Sequence, residues 1–494
     1  MINRKANTNW IFLLLCLMAV ATSAQAQNNS FRKNAAPPVA GGFTDAAAFG
    51  FSPQATGAAN TIALQKAVDR TGTIVVSQPG TYKLAGTVYV GSHTSISFGN
   101  NVFIKKVDEK GVFTHVLLNK GALTKQYNEH ITIEGLNIIV NGIDKPFSDV
   151  YGLRGQLAFF YVKDPKIKRF RCADITKMQF AIHVCTFEDL LIDDVIISGE
   201  KDGVHLGKGK RFTIRNGVFK TFDDAIALNA HDYATSNPEL GWIEDGIIEN
   251  CYDLNAENTT GYFCRILAGA WIDWKPGMEV QQSDAVVSNG RIYRVQAKPD
   301  GTVYKSVTQP VHLSGMQELD GIKWGMVQTD VTYTVGVKNV SFNNIFLYKP
   351  RTAFSIHFDN DRHSRSYYPG AEIPRQQGLK FNNINIFYEE KRDFLSIATP
   401  VDVIRIYNSS LKDNRINFYE NKAMSDYGKT SINITNCTFN YKGVMELVVN
   451  TVKGKKIILS TSANVENDDN FSAKIVAGSA AIKIESDLTG LKNR

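Results

Sequence analysis

Cysteine is scarce in this chain: six occur in 494 residues, and no two are closely spaced. With no His-Glu-x-x-His segment either, the zinc-site patterns are excluded. Charge of one sign is also lacking. Lys and Arg total 55 against 48 Asp and Glu, a formal net charge of +7, so no nucleic-acid partner is expected; a mild excess of this kind suits an anionic ligand slightly better than a neutral one. Long apolar runs are missing apart from Trp10 to Ala21, which falls short of the about 20 residues a membrane span needs, so no membrane insertion is expected. Regular leucine positions with helical segments between strands are absent as well, which excludes a leucine-rich horseshoe. What remains, 43% hydrophobic and 21% charged residues, is the composition of a folded globular protein.

The first 26 residues read as a cleaved signal peptide. Arg4 and Lys5 precede the apolar run, and Ala24-Gln25-Ala26 supplies a small-x-small site before Gln27. The mature chain is expected to be secreted or periplasmic, and it retains Cys172, Cys185, Cys251, Cys264 and Cys437. Five is an odd number, so at least one is unpaired, and small apolar packing is the expected role for most.

A repeat organises the rest. Phe180-Ala-Ile-His-Val, Asp202-Gly-Val-His-Leu and Asp224-Ala-Ile-Ala-Leu are spaced by 22 residues, and a period in the twenties with short strands marks a solenoid. Alternate strand residues face the same way, so Ile182, Val204 and Ile226 form one inward column and Val184, Leu206 and Leu228 another, with His183, His205 and Ala227 facing outward. Val337 to Ile345 and Leu379 to Ile386 repeat the cadence. The expected fold is an all-β, right-handed parallel β-helix, a pectin-lyase-like solenoid, with a capping helix over Thr61 to Asp69. The cadence fails between 271 and 327, where Trp271, Trp274, Tyr293, Tyr304 and Trp324 gather. The expected organisation is therefore a coil over 27–270, an inserted aromatic-rich β module over 271–327 and a second coil segment over 328–494. The module faintly resembles small three-stranded carbohydrate-binding modules; its rings either stack on sugars or form its own small core. Joining the chain near 270 and 328 should leave a soluble β-helix.

The repeat also places chemistry. Residues one coil apart sit about 4.8 Å from each other, so Asp202 and Asp224 should be neighbours, with Asp223 beside them at a solvated turn. Ionised carboxylates held together repel, which keeps a proton on at least one near neutral pH. One acid beside one base is what glycosidic cleavage requires, and inverting enzymes hold the two about 6.5–9.5 Å apart to admit a water.

These residues resemble the polygalacturonase and rhamnogalacturonase group of glycoside hydrolases, right-handed β-helices with an Asn-Thr-Asp motif followed by an Asp-Asp motif. Here the motifs read Glu200-Lys201-Asp202 and Asp223-Asp224. The resemblance implies that Asp223 is the general acid and that Asp202 with Asp224 activates water. Glu200 and Lys201 stand in place of Asn and Thr, no Gly-His-Gly follows the Asp pair, and the later Arg-Ile-Lys is Arg265-Ile266-Leu267, so a sugar other than the classical one is expected. Lys201, His205, His231, Tyr233 and Arg265 are the expected substrate-binding residues, His231 standing in for the family histidine. No cofactor is required; calcium on the carboxylates is the alternative, since stacked carboxylates of β-helix lyases bind it. The expected partner is a polysaccharide or oligosaccharide met by a monomer. Three function classes stay open: a glycosidase, a polysaccharide lyase or epimerase with Lys201 as base, and a non-catalytic glycan-binding β-helix.

Overall fold

The structure, a computed structural model, describes residues 42–145, 150–256, 259–421 and 427–491. The chain divides into two units, 1–43 and 44–494; the signal-peptide segment lies outside the described residues, and the coil belongs to the second unit.

Alternating apolar and polar residues wind into a right-handed parallel β-helix. Strands with buried–intermediate alternation, such as Thr94–Phe98 and Asn414–Phe418, leave one side of the wall facing inward, and each pairs in parallel with the equivalent strand of the next coil. The repeat holds to the residue: Ile182 pairs with Val204 and Val204 with Ile226, and all three side chains are buried in the core. Higher coils add a phenylalanine stack in which Phe342 and Phe381 lie 5.2 Å apart and Phe354 meets both edge-on. Each such side chain contributes about 1.5–3 kcal/mol on burial.

The corners are turned by residues in the left-handed region. The 20-residue strand Phe180–Gly199 bends at Thr186, Asp189 and Asp194, all at φ between 52° and 58°. Short polar side chains tolerate this conformation best. One corner carries a ladder: the amide Nδ2 of Asn216 donates to Asp193, Asn250 to Asn216, Asn344 to Asn250 and Asn383 to Asn344, at 2.8, 3.2, 3.0 and 2.8 Å.

The capping helix spans Gly57–Val68, starting earlier than expected because Thr56 caps it by accepting from Ala59 N–H. It closes the core with Ala63, Leu64, Ala67 and Val68. All five cysteines after residue 44 are free and buried.

The insert folds as a five-stranded sheet, in the order Ile272–Asp273, Ala285–Ser288, Arg291–Val295, Ile322–Gln328 and Met316–Leu319, with a separate two-stranded pair. This corrects the three-stranded expectation. Tyr293 and Trp324 lie in the insert's own core with Val280, Val286 and Ile322, whereas Trp271, Val287 and Ile292 belong to the main core. These three rings are therefore structural, and only Trp274 and Tyr304 keep partial exposure.

Candidate active site

The coil places three carboxylates together. Gly203 N–H donates to Asp224 C=O at 2.9 Å, continuing the ladder of Val204–Leu206 on Ile226–Asn229 back to the turn. One oxygen from each of Asp202, Asp223 and Asp224 lies within 4.8 Å of the others. The next coil passes close over the pair at Gly261, where a Cβ would come within 2.5 Å of the Asp223 carbonyl carbon and the Asp224 nitrogen, so only glycine fits there.

The three are not equivalent, and they are not the solvated turn residues that the sequence suggested. Asp202 and Asp224 are buried at 4% and 3% exposure, while the Asp223 side chain keeps 21%. Burial, then the Asp223 charge, pushes Asp202 up to about 7. Burial with Asp223 and Asp202 raises Asp224 well above the carboxylate range. Asp223 goes the other way: against the burial that would raise it, the Lys201 ammonium and Arg265 hold it below its ordinary value. Its Oδ2 accepts from Lys201 Nζ, and its Oδ1 accepts from Asp224 N–H at 3.1 Å. In the resting protein Asp223 is therefore the ionised member, the reverse of the proton donor expected from the sequence, because Lys201 stands directly on it. The spread of 4.8 Å is also tighter than the about 6.5–9.5 Å of an inverting acid–base pair.

The outward histidine column lies under a roof. His183 and His205 are buried, His205 stacked on Phe180 at 4.2 Å, and burial lowers His205 to about 3. Its Nδ1 shares a 2.8 Å hydrogen bond with Asp202 Oδ2, so it orients that carboxyl instead of meeting substrate. His231 is buried too, packed on Gly269 and 5.8 Å from Trp271, and burial takes it to about 3. The loop after it is pinned by the insert's Arg294, which donates to Asp232 C=O and Asn237 C=O at 2.9 and 2.8 Å. A substrate-binding role for His205 and His231 is thus corrected: the periodicity predicted the outward side of the wall for His205 but not the packing laid over it.

Lys201, Tyr233 and Arg265 do line a cleft of about 760 Å³. Lys177 from the coil before Lys201, Arg154 from the coil before that and Lys298 from the insert bring it to five cations, facing Asp359 and Asp361. Arg265 donates to Asp359 at 2.5 Å, and His357 Nε2 lies 3.2 Å from the same oxygen; although burial opposes it, the Arg265 guanidinium and the His357 hydrogen bond hold Asp359 well below the usual range. Arg154 bonds Met178 C=O through Nε at 2.8 Å and the Tyr233 hydroxyl through Nη1 at 2.5 Å. Arg154, Lys298 and Asp359 were missed by sequence reasoning. The signal for Asp359 was present, since Ser355 pairs with Arg265 in the coil register, but the insert separates the two by 90 residues of chain.

Beneath the cleft, Arg351 grips Asp253 through two hydrogen bonds of 3.0 and 2.7 Å and donates to Asp223 C=O at 2.8 Å. Lys349 Nζ donates to Thr221 C=O. The backbone that carries Asp223 is thereby held from below.

Among the described residues the Asp trio is the one group of three or more ligand-type side chains close enough to hold a metal. Three converging oxygens fall short of the six to eight that calcium takes, and the Lys201 ammonium already supplies a cation at Asp223.

No protein-family model matches the chain, and no curated protein matches it by sequence. Solved structures similar to it include the N-terminal fragment of gene product 12 of bacteriophage Phi29, at 11% identity over 87% of this chain and 72% of that one, with a TM-score of 0.48. The A-module of Azotobacter vinelandii mannuronan C-5 epimerase is similar at 10% identity, covering 91% and 100%, TM-score 0.42. A family 28 exopolygalacturonase of Yersinia enterocolitica is similar at 11% identity, covering 91% and 79%, TM-score 0.41.

Proposed function

We propose that the protein hydrolyses glycosidic bonds in an anionic polysaccharide or oligosaccharide outside the cytoplasm. The observation that carries this reading is the carboxylate trio of split charge, Asp223 ionised and partly exposed beside Asp202 and Asp224, which are buried and raised, next to a cleft lined by five cations. Paired titratable groups pushed apart in this way are what acid–base cleavage uses. The cations lie along several successive coils, about 4.8 Å per step, and suit a ligand that carries repeated negative charge.

Asp223 is the trio member positioned to touch a sugar. With Asp202 and Asp224 too buried to attack the anomeric carbon, water is the nucleophile, and inversion is the expected stereochemistry in spite of the tight spacing. Lys201 does not serve as a lyase base in this reading, because its partners Asp202 and Asp223 favour its charged form over the burial that opposes it, leaving it no lone pair to accept a proton.

The test is reducing-end release from a panel of plant, algal and host acidic glycans, with ultraviolet absorbance followed for unsaturated products. Hydrolysis abolished in Asp223→Asn, with glycan binding retained, supports the reading. Unsaturated products would move the protein to the lyases, and full activity in the variant would sink the assignment. Proton NMR of the first-formed anomer checks inversion.

A further inference from the structure

The resting site presents a contradiction that its geometry resolves. Asp223 is the trio carboxyl with a partly exposed side chain, at 21%, beside the cleft-lining Lys201, yet both of its oxygens are engaged, Oδ2 by Lys201 Nζ and Oδ1 by Asp224 N–H. A carboxylate in that state cannot donate a proton to a leaving group. The carboxyls that favour the protonated form, Asp202 and Asp224, are sealed beneath it. Lys201 itself lines the cleft and keeps 24% of its side-chain surface exposed, so an anion entering among Arg154, Lys177, Arg265 and Lys298 reaches the same ammonium that restrains Asp223.

We propose that Lys201 is a specificity-determining latch: a carboxylate or sulfate on the glycan takes its ammonium away from Asp223, and a proton held by Asp202 or Asp224 then passes to Asp223. This rests on the glycan-cleaving reading and deepens it. The transfer conserves charge within the trio. One O–H bond breaks at Asp202 and one forms at Asp223; the oxygens lie within 4.8 Å of one another, the span of one bridging water, which takes the proton from Asp202 as it gives one to Asp223. His205 Nδ1, 2.8 Å from Asp202 Oδ2, is placed to donate to the carboxylate so created. The free protein thus stores its acid away from the cleft, and the charged group of the substrate brings it to the surface. A neutral glycan of the same shape leaves the Lys201–Asp223 pair closed. The groups facing this pair are Asp202, Asp224, Arg265 and Tyr233, with Lys349 and Arg351 on the backbone side of Asp223, and none of them replaces the Lys201 ammonium on Asp223 Oδ2.

Two measurements on the full chain test the latch. The first compares kcat/KM on acidic oligouronides with that on their methyl esters. Wild type should prefer the acid form by at least tenfold, and Lys201→Met and Lys201→Thr should lose that preference while folding normally by circular dichroism. The preference surviving in both variants overturns the latch. The second needs no turnover: titration calorimetry of free glucuronate near pH 7 in two buffers of different ionisation enthalpy. Removing the ammonium from Asp223 raises the proton affinity of the trio, so binding should take up protons in wild type, and the uptake should disappear in Lys201→Met. Absence of glucuronate binding, binding without uptake, or uptake unchanged in the variant each overturns it. Failure to cleave any glycan in the panel counts against the functional reading instead, and the calorimetric result then stands by itself.

Discussion

Asp202→Asn should make the protein more stable at neutral and alkaline pH while removing its activity. The native carboxyl is pushed up to about 7 from its ordinary value of 3.8. A carboxyl whose folded pKa lies above its unfolded value favours the folded state fully below about pH 4, and this stability is lost as pH rises through about 7. A shift of about three units at ~1.4 kcal/mol each makes ionised Asp202 a burden of about 4 kcal/mol at pH 8. That figure is an upper bound, since Asp223 and Asp224 share the same titration. Asn keeps the shape and still accepts a hydrogen bond from His205, so the burden is lifted with no cavity left behind. For a chain of this length the unfolding entropy is about 1 kcal/mol per kelvin, so Tm should rise by up to about 4 °C. Scanning calorimetry from pH 3 to pH 9 should show wild type and variant coinciding at the acid end, diverging progressively from about pH 4 and keeping a constant gap above about pH 7. A variant no more stable at pH 8, or one stabilised equally at pH 4, would refute the claim that Asp202 is strained by burial.

Other outcomes rest on the same contacts. Arg351→Met leaves the Asp253 carboxyl in the core without its hydrogen-bonding partner and should cost about 3–5 kcal/mol, read as a fall in Tm together with a loss of turnover, because the support under Asp223 goes with it. Excision of 271–327 through a short linker should leave the coil folded by circular dichroism but release the loop 231–241, whose carbonyls lose Arg294; hydrogen exchange in that loop should accelerate by at least tenfold. The five cysteines, all buried, should resist a thiol reagent in the native protein and react fully only on unfolding.

The wall of the solenoid was legible because the 22-residue spacing and the two-residue alternation act on every strand at once; slipping Ile182, Val204 or Ile226 by one residue would turn its strand's outward face into the core. The carboxylate trio was legible for the same reason. What lay above the wall was not. His205 was placed on the outer face correctly, but contacts such as Phe180 stacked on His205 and Arg294 on the loop after His231 join segments tens of residues apart and are encoded in no local period. The charge state of Asp223 was misjudged in the same way: the Lys201 side chain was visible in the sequence, but its reach onto the carboxylate one coil away is a matter of rotamer and burial. The rings of the insert posed a choice between surface and core that composition leaves open, and for Trp271, Tyr293 and Trp324 packing decided it.

The asparagine ladder bears on how such a molecule can grow. Its rungs step from Asn250 to Asn344, a gap of 94 residues that includes the insert, and the amide geometry does not register the interruption. Every Nδ2 points toward the preceding rung and the row ends on the Asp193 carboxylate, so the side-chain dipoles run head to tail into a negative terminus. An added or lost residue at this corner would take a rung out of line for the coils on both sides, whereas the opposite turns can lengthen without disturbing it. The ladder is thus a seam that confines variation to one flank of the solenoid, and that flank is where the insert emerged and where the cleft it borders was built.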